Sequence, residues 1–416
     1  MRDTDYDIAI VGGGMVGISL AIALGQMTPA PRVVLIEAQD YSKHLPPSFD
    51  SRTIALSYSS RQIFDALKLW QPLVAQGITP IQTIHISDRG HAGITHLQAS
   101  EQHVEALGYV VENRLLGQVL YQALQALTHV QVLAPAELQA MSLASDYAEL
   151  RGVHQGKALD IRARLVVAAD GTESFIRQYL GVEQRHWDYK QSAVIANVAC
   201  DQPHHNIAYE RFTNTGPMAL LPLSAIDDTP HRYGLVWTVP TAQTETTVLQ
   251  LSDTEFAAQL RQRFGSRVGN FIRIGQRHTY PLGHTQIREH VRHRLAFIGN
   301  AAHTLHPVAG QGFNLGLRDV AALAQVIREA LIHHQDPGDL ERLQTYARWR
   351  RRDLIQTSLF TDSLVRAFST DFLPLVVARN VGLFAMECFA PLRKRLTRHA
   401  MGYVGRASML ARGLGL

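Results

Sequence analysis

Three glycine-punctuated segments of this 416-residue chain hold the residues that could do chemistry. The first, Gly12-Gly13-Gly14-Met15-Val16-Gly17, follows the β-branched run Asp7 to Val11 and leads into the apolar stretch Ile18 to Leu24. That order predicts strand, turn and helix. Gly12 would permit the tight turn, Gly14 the approach of backbone to a pyrophosphate and Gly17 close helix–strand packing, while the helix N-terminus offers N–H groups to the anion. A second strand pattern, Arg32 to Ile36, ends in Glu37, twenty residues after Gly17. An acid at that place accepts hydrogen bonds from adenosine ribose hydroxyls and disfavours a 2′-phosphate. The combination predicts a dinucleotide site, for NAD or for FAD.

The other two segments also follow apolar strand patterns. Ala163 to Ala169 ends in Asp170-Gly171, and Arg294 to Ile298 ends in Gly299-Asn300-Ala301-Ala302-His303. Beyond the latter comes His306-Pro307-Val308-Ala309-Gly310-Gln311-Gly312-Phe313-Asn314-Leu315-Gly316, then Leu317, Val320, Ala324, Ile327 and Leu331 at helical spacing. A glycine loop entering a helix presents N–H groups at the positive end of its dipole, suited to negative charge on a reduced isoalloxazine ring. Read in isolation, Gly310 and Gly312 could equally form only a turn.

The composition suits elements that position such segments. With 46% hydrophobic and 18% charged residues the chain is globular rather than disordered, and its length suits two or three domains. Two cysteines, Cys200 and Cys388, make neither a disulfide framework nor a Cys-rich zinc site. The histidine pairs His204-His205, His333-His334 and His303/His306 lack carboxylate or cysteine company in the sequence, and no His-Glu-x-x-His or Gly-x-Ser-x-Gly occurs. No metal site is expected. The start of the chain, with Asp3, Asp5 and Asp7 before the glycines, does not read as a secretory signal, so a cytoplasmic location is expected. The net charge of +4, 40 Lys+Arg against 36 Asp+Glu, says little about partners except where it clusters, near the C-terminus.

On the glycine fingerprint with Glu37, the Asp170-Gly171 motif and the Gly299-Asn300 motif with its proline–glycine loop, the chain resembles the class A flavoprotein aromatic hydroxylases of the para-hydroxybenzoate hydroxylase fold. Within them it is most similar to the ubiquinone-biosynthesis hydroxylases, in particular those acting on a 2-polyprenyl-6-methoxyphenol. The similarity continues through Phe49 to Leu56, Ser87 to Gly93, Ala193 to Val198 and Glu210 to Thr213, and is most specific from His306 to Val320. It implies that Gly12, Gly14, Gly17 and Glu37 hold the adenosine half of FAD, with Arg52 near the pyrophosphate. It implies flavin contacts at Asn113 and at Gly310, Gln311, Gly312, Phe313, Asn314 and Leu315, and a place for Asp170 beside both FAD and a transient nicotinamide. Most of the wider group has aspartate where this chain has Asn300, which can still hydrogen-bond a ribityl hydroxyl but carries no charge. Gly299 completes that motif. NADPH or NADH would reduce FAD, dioxygen would form a flavin C4a-hydroperoxide, and its distal oxygen would pass to an electron-rich phenol ring. The Pro307 carbonyl would accept the phenol's hydrogen bond, with His306 as the side-chain alternative, either loop-fixing or a proton shuttle.

The implied architecture is α/β: a Rossmann-type FAD-binding domain with an inserted, mainly antiparallel β substrate domain and a helical C-terminal region. The expected boundaries are 1–180 for the first part of the FAD domain, with an excursion near 76–100 into the substrate domain, 181–280 for the substrate domain, 281–340 for the second FAD part and 341–416 for the helical region. Strands are expected at Ala193–Ala199, Met218–Leu223, Tyr233–Val239 and Thr246–Leu251, and the basic run through Arg348, Arg350, Arg351 and Arg352 reads as solvated. Residues 373–390 carry charges only at Arg379 and Glu387, which with Asn380 form one stripe on a helix, and Arg393, Lys394, Arg395 and Arg398 follow. These interruptions argue against a membrane span. Two alternatives stand: a buried core or partner helix, or an interfacial helix against the anionic inner-membrane surface. The expected partners are a polyprenyl-phenol and dioxygen, with the membrane surface, other ubiquinone-biosynthesis proteins and a second copy of the chain as candidates, and no nucleic acid. A hydroxylase of another ring position or of a soluble phenol, a flavin reductase or dehydrogenase, and a flavin-free subunit are the competing functions.

Overall fold

Val33–Ile36 is buried at all four positions, as in a strand whose sheet is covered on both faces. This computed structural model describes residues 4–40, 52–226, 229–243, 248–304, 310–368, 372–403 and 405–416. Among them, Val33–Ile36 lies inside an eight-stranded sheet. The heart of that sheet is parallel, in the order Leu295–Phe297, Lys157–Ala168, Tyr6–Val11, Val33–Ile36, Val130–Leu133. Strands expected at Asp7–Val11, Arg32–Ile36, Ala163–Ala169 and Arg294–Ile298 all belong to it. The helix Met15–Gly25, buried from Gly17 to Gly25, shares one core with helices Asn113–Gln125 and Gln311–Ile332. The loops that leave the strand ends toward this helical face carry the glycine motifs.

A second sheet has nine strands among the described residues. Its central strand Gln184–Cys200 pairs antiparallel with Arg232–Pro240 and His278–Ile287. Arg232–Pro240 pairs with Gly216–Leu223, and that strand with Ile207–Thr213. Thr83–Asp88 then adds parallel to Ile207–Thr213, and Ile94–Gln98 closes that edge. On the outer face Val194, Leu220, Leu235 and Trp237 pack with Phe256, Leu260 and Phe264 of the helix Asp253–Phe264. A reciprocal Ser252/Glu255 capping box starts that helix. The strand expected at Thr246–Leu251 is not present over its described part, 248–251. Val248 instead fills the core beneath the helix, and the following turn is consumed in reaching the helix start. A small sheet of Thr53–Ser57, Gly108–Glu112 and Thr79–Ile81 touches the strand Gly216–Leu223 and the helices Asn113–Gln125 and Gln311–Ile332. Buried Arg232 and Glu112, 3.0 Å apart, fasten it to the nine-stranded sheet.

The C-terminal region is helical over Leu340–Phe368, Leu373–Cys388 and Ala390–Ala400. The last two helices meet at a bend of 100°, and among the described residues no single helix is long and apolar enough to cross a membrane. Residues 373–388 are not a core helix, because only Val376 and Leu383 are buried along them. The polar stripe is the side that docks. Arg379 Nε donates to Asp88 Oδ2 at 2.8 Å, Asn380 Nδ2 donates to the same oxygen at 2.9 Å, and Gly93 N donates to Asn380 Oδ1 at 2.8 Å. Two turns further on, Glu387 Oε2 accepts from His96 N at 2.8 Å. The apolar side therefore faces outward, with Leu373 70%, Val381 61% and Phe384 66% exposed.

Candidate active site

The first glycine loop is shaped by contacts that admit no side chain. Gly12 has φ +105°, and a Cβ there would lie 2.5 Å from Ala169 O; one at Gly17 would lie 1.9 Å from Gly12 O. A Cβ at Gly14 would meet nothing within 4 Å, so the space in front of the helix N-terminus is open. That terminus has neither a side-chain cap nor an acid in its first turn, leaving N–H groups for an anion. Glu37 Oε2 accepts from Gly13 N at 2.5 Å and Oε1 from Gln39 N at 2.7 Å. The acid thus braces the loop while each oxygen keeps a lone pair for a ribose hydroxyl.

Asp170 stands at the end of the neighbouring strand. Its Oδ2 accepts from Ile176 N at 3.2 Å, but Oδ1 is buried without a partner, and burial raises its pKa. Asn113, the first residue of the helix Asn113–Gln125, likewise has a buried, unpartnered Oδ1. Unmet acceptors of this kind fit a ligand rich in hydroxyl and N–H donors. Arg52 reaches across to the nine-stranded sheet, where Nη1 donates to Tyr280 Oη at 3.0 Å; its carbonyl accepts from Asn113 N at 2.8 Å.

Opposite lies the start of the Gln311–Ile332 helix. Gly310 caps it in the left-handed region, φ +60°, without a side-chain cap. The side chain of Asn314 is fully used: Nδ2 donates to Ala55 O and Gly310 O, and Oδ1 accepts from Ser57 N and Ser60 Oγ at 2.6–2.8 Å. It latches the loop to the Thr53–Ser57 strand. Gly310, Gly312, Phe313 and Asn314 line the central cavity, as do Gly14, Gly171 and Asn300. Gln311 and Leu315 are buried and are not part of that lining. His306 and Pro307 lie outside the described residues.

Behind the loops is a buried ionic network that the spacing of residues did not reveal. Asp319 Oδ2 accepts from Gly299 N at 3.0 Å and His303 Nε2 at 2.7 Å, and Oδ1 accepts from Arg350 Nε at 2.6 Å. Arg350 continues to Asp353, which also pairs with Arg318 at 3.0 Å. Burial alone would raise the Asp319 pKa, but Arg350 and His303 outweigh it and hold the carboxyl well below the usual range. Two expectations are corrected here. Arg350 is not solvated but 3% exposed, because it lies on the face of its helix that carries buried Leu343, Tyr346, Asp353 and Thr357. His303 does have carboxylate company, supplied by Asp319 sixteen residues later. The signal that could have found it is the Arg318-Asp319 pair inside an otherwise apolar helical pattern, since buried charges need partners.

The glycine loops open into one cavity of about 740 Å³, a volume typical of ligand sites. It runs from Gly14, Gly310 and Gly312 along the inner face of the nine-stranded sheet to Phe360, Leu364, Leu383, Met386, Leu396 and Ala400 of the C-terminal helices. A glycine-rich loop at an uncapped helix start, opening onto an apolar chamber, fits a dinucleotide-dependent oxidoreductase. Residues 5–358 match the FAD binding domain family, and the chain belongs to that family. It is 37% identical to a ubiquinone hydroxylase, UbiL, of Rhodospirillum rubrum over 96% of this chain and 90% of that protein. To the 3-demethoxyubiquinol 3-hydroxylase of Escherichia coli it is 33% identical over 97% and 100%. The p-nitrophenol 4-monooxygenase PnpA of Pseudomonas putida DLL-E4 shares the fold, with TM-score 0.78 at 19% identity, over 98% of this chain and 100% of that one. The chain is an FAD-dependent aromatic monooxygenase.

Proposed function

We propose that the protein hydroxylates the ring of a polyprenylated methoxyphenol in ubiquinone biosynthesis, consuming NAD(P)H and dioxygen. The carrying observation is the cavity of about 740 Å³ whose lining runs from the glycine cradle to apolar side chains of the C-terminal helices. A ring bearing a long hydrocarbon tail needs such a chamber; a soluble aromatic acid does not. When bound, FAD supplies hydride acceptance and dioxygen activation. The residues of the chain do the rest. Gly12, Gly14, Gly17 and Glu37 hold the adenosine half, and Arg52, Asn113, Asp170, Gly299 and Asn300 take the remainder of the dinucleotide. Gly310, Gln311, Gly312, Phe313, Asn314 and Leu315 form the loop at the flavin ring, where N–H groups of the helix start favour negative charge. Pro307 and His306 are the proposed contacts to the phenol. The apolar walls exclude water from the reacting ring.

Anaerobic reduction of the yellow protein by NADPH with and without a short-chain prenylphenol, followed by oxygen and product analysis, tests this. The expected product is the ring-hydroxylated phenol. Flavin reoxidation that yields hydrogen peroxide alone, with every candidate phenol, would exclude the substrate class.

The exposed apolar side of Leu373–Cys388 and the exposed Lys394, Arg395 and Arg398 beside it support a resting place on an anionic membrane surface, where the tail of such a substrate resides. The protein is expected to float with anionic liposomes, and the Val381→Glu/Phe384→Glu variant is expected to stay behind. Equal flotation of both would rule that surface out.

A further inference from the structure

The sheet wall of the cavity is a row in register. Ile195, Val236, Ala219, Glu210 and Ile86 stand side by side on five successive strands, and all five line the cavity. Four of them are hydrocarbon. Glu210 is the one charged side chain among the described residues of the lining.

Its isolation follows from strand geometry. Side chains alternate along Ile207–Thr213, so Ala208, Glu210 and Phe212 take the cavity side. The adjacent Arg211, the obvious counter-ion, takes the outer side, where Nε donates to Arg263 O at 3.1 Å and Nη1 to Ser87 Oγ at 3.3 Å. Tyr209 and His85 are on that side as well, ring against ring at 5.4 Å. The neighbours of Glu210 across the strands are Ala219 and Ile86, and the helices over this end of the cavity present Phe360, Leu364, Leu383 and Met386. No described residue hydrogen-bonds or ion-pairs with its carboxyl. Burial, with no charged partner to oppose it, pushes its pKa up to about 8. The carboxyl is half-buried and faces the space of the cavity, and nothing in the fold uses it.

Its position along the row also matters. On one side, the strand Arg232–Pro240 touches the cradle, since a Cβ at Gly234 would lie 2.5 Å from Thr53 Oγ1. On the other, Phe212, beside Glu210 on the cavity side of its strand, packs with Leu383 of the C-terminal helices, and Ile86 packs against that pair. At about 4.8 Å per strand, Glu210 stands roughly 10 Å from Val236, between the cradle end of the row and the C-terminal helices.

We propose that Glu210, rather than the Pro307 carbonyl or His306, is the catalytic residue that takes the phenolic proton: its carboxylate holds the hydroxyl of the phenolic ring and accepts that proton as the ring reacts. This rests on the reading of the protein as a phenol hydroxylase. The phenolic O–H bond breaks and a carboxyl O–H bond forms, with nothing oxidised or reduced in this step. The electron pair left on oxygen conjugates into the ring and makes its ortho and para carbons more nucleophilic. The carboxyl returns its proton to that oxygen when the hydroxylated ring regains aromaticity, as the attacked carbon releases its hydrogen as a proton to solvent and its C–H electron pair re-enters the ring, so the carboxylate is regenerated. An ordinary glutamate, at about 4.3, is a poor match for a phenol near 10; a base whose pKa is raised toward the phenol's is a better one.

The test compares wild-type holoenzyme with Glu210→Gln and Glu210→Asp. For Gln, FAD content and anaerobic flavin reduction by NADPH without phenol should be unchanged. Its kcat for prenylphenol hydroxylation should fall by roughly 100-fold, with a smaller change in KM and loss of the limb that rises through pH 8. Asp should recover part of the rate. A prenylated nitrophenol, whose ionised form absorbs in the visible, gives a second readout on the oxidised holoenzyme, by difference spectroscopy and by proton uptake. Titrated in above pH 8, where it is ionised in solution, it should cause wild type to take up about one proton per site, because Glu210 becomes protonated beside the phenolate, and Glu210→Gln to take up none. Equal proton uptake and equal kcat would overturn the role of Glu210 while leaving the hydroxylase reading intact. Proton uptake that depends on Glu210 in a protein that hydroxylates no prenylphenol would support the proton acceptor and sink the proposed substrate. Failure of wild type to bind the nitrophenol would sink both.

Discussion

The helices Gln311–Ile332 and Leu373–Cys388 look alike as strings of apolar residues broken by a few charges, yet the fold turns them in opposite senses. In the first, Leu317, Val320, Leu323 and Ala324 are fully buried, and even Arg318 and Asp319 are enclosed. In the second the charges face the protein, and Val377, Val381 and Phe384 face out. The first helix is surrounded, so its charges survive only because Arg350, Asp353 and His303 meet them. The second lies at the rim, where Asp88 and the backbone of Gly93 and His96 are polar groups in need of partners. What a neighbour requires, rather than hydropathy, decides which side of a helix is inside.

The sharpest way to break this contrast is the same kind of change in both helices. Leu323→Glu would bury an unpaired charge and should cost several kcal/mol, seen as loss of soluble, flavin-bound protein. A Leu323→Glu variant melting like wild type would show that the helix is not enclosed. Arg379→Ala should cost about 2 kcal/mol, the scale of a charge-assisted hydrogen bond. Asp88 is buried but keeps Asn380 and His91 within 3.1 Å. Thermal melts would register this as a moderate fall in Tm, and a fall as large as that of Leu323→Glu would mean that the rim helix is structurally central. The smallest effect belongs to Val381→Glu/Phe384→Glu, within about 0.5 kcal/mol of wild type while liposome flotation is lost. A large destabilisation there would mean that the outward face is covered by protein.

The dinucleotide end is legible in the order of its residues. Gly12, Gly17 and Glu37 must be what they are for reasons local to one strand–turn–helix, and local geometry is written in local sequence. The inserted sheet is legible in type, since short β-rich runs with turn residues between them report antiparallel pairing. It is not legible in extent, because Val248 to Leu251 carry the same composition as a strand but serve as core and turn. Arg350 reads as solvated because the arginines around it are charged too; its burial depends on Asp319, thirty-one residues away. The motif around Asn314 points to a glycine loop, but the role of its side chain as a latch depends on Ala55, Ser57 and Ser60, more than 250 positions away.

The sequence by itself therefore determined the cofactor cradle and the class of fold, since both rest on short-range rules of turn, strand and helix. Only the tertiary structure decided the rest. It brought strands from residues 83–98 and 184–287 into one wall, leaving Glu210 as the lone acid among hydrocarbon, and it turned the polar stripe of Leu373–Cys388 inward. Burial and partnership are properties of pairs of distant residues, and no one segment contains both members.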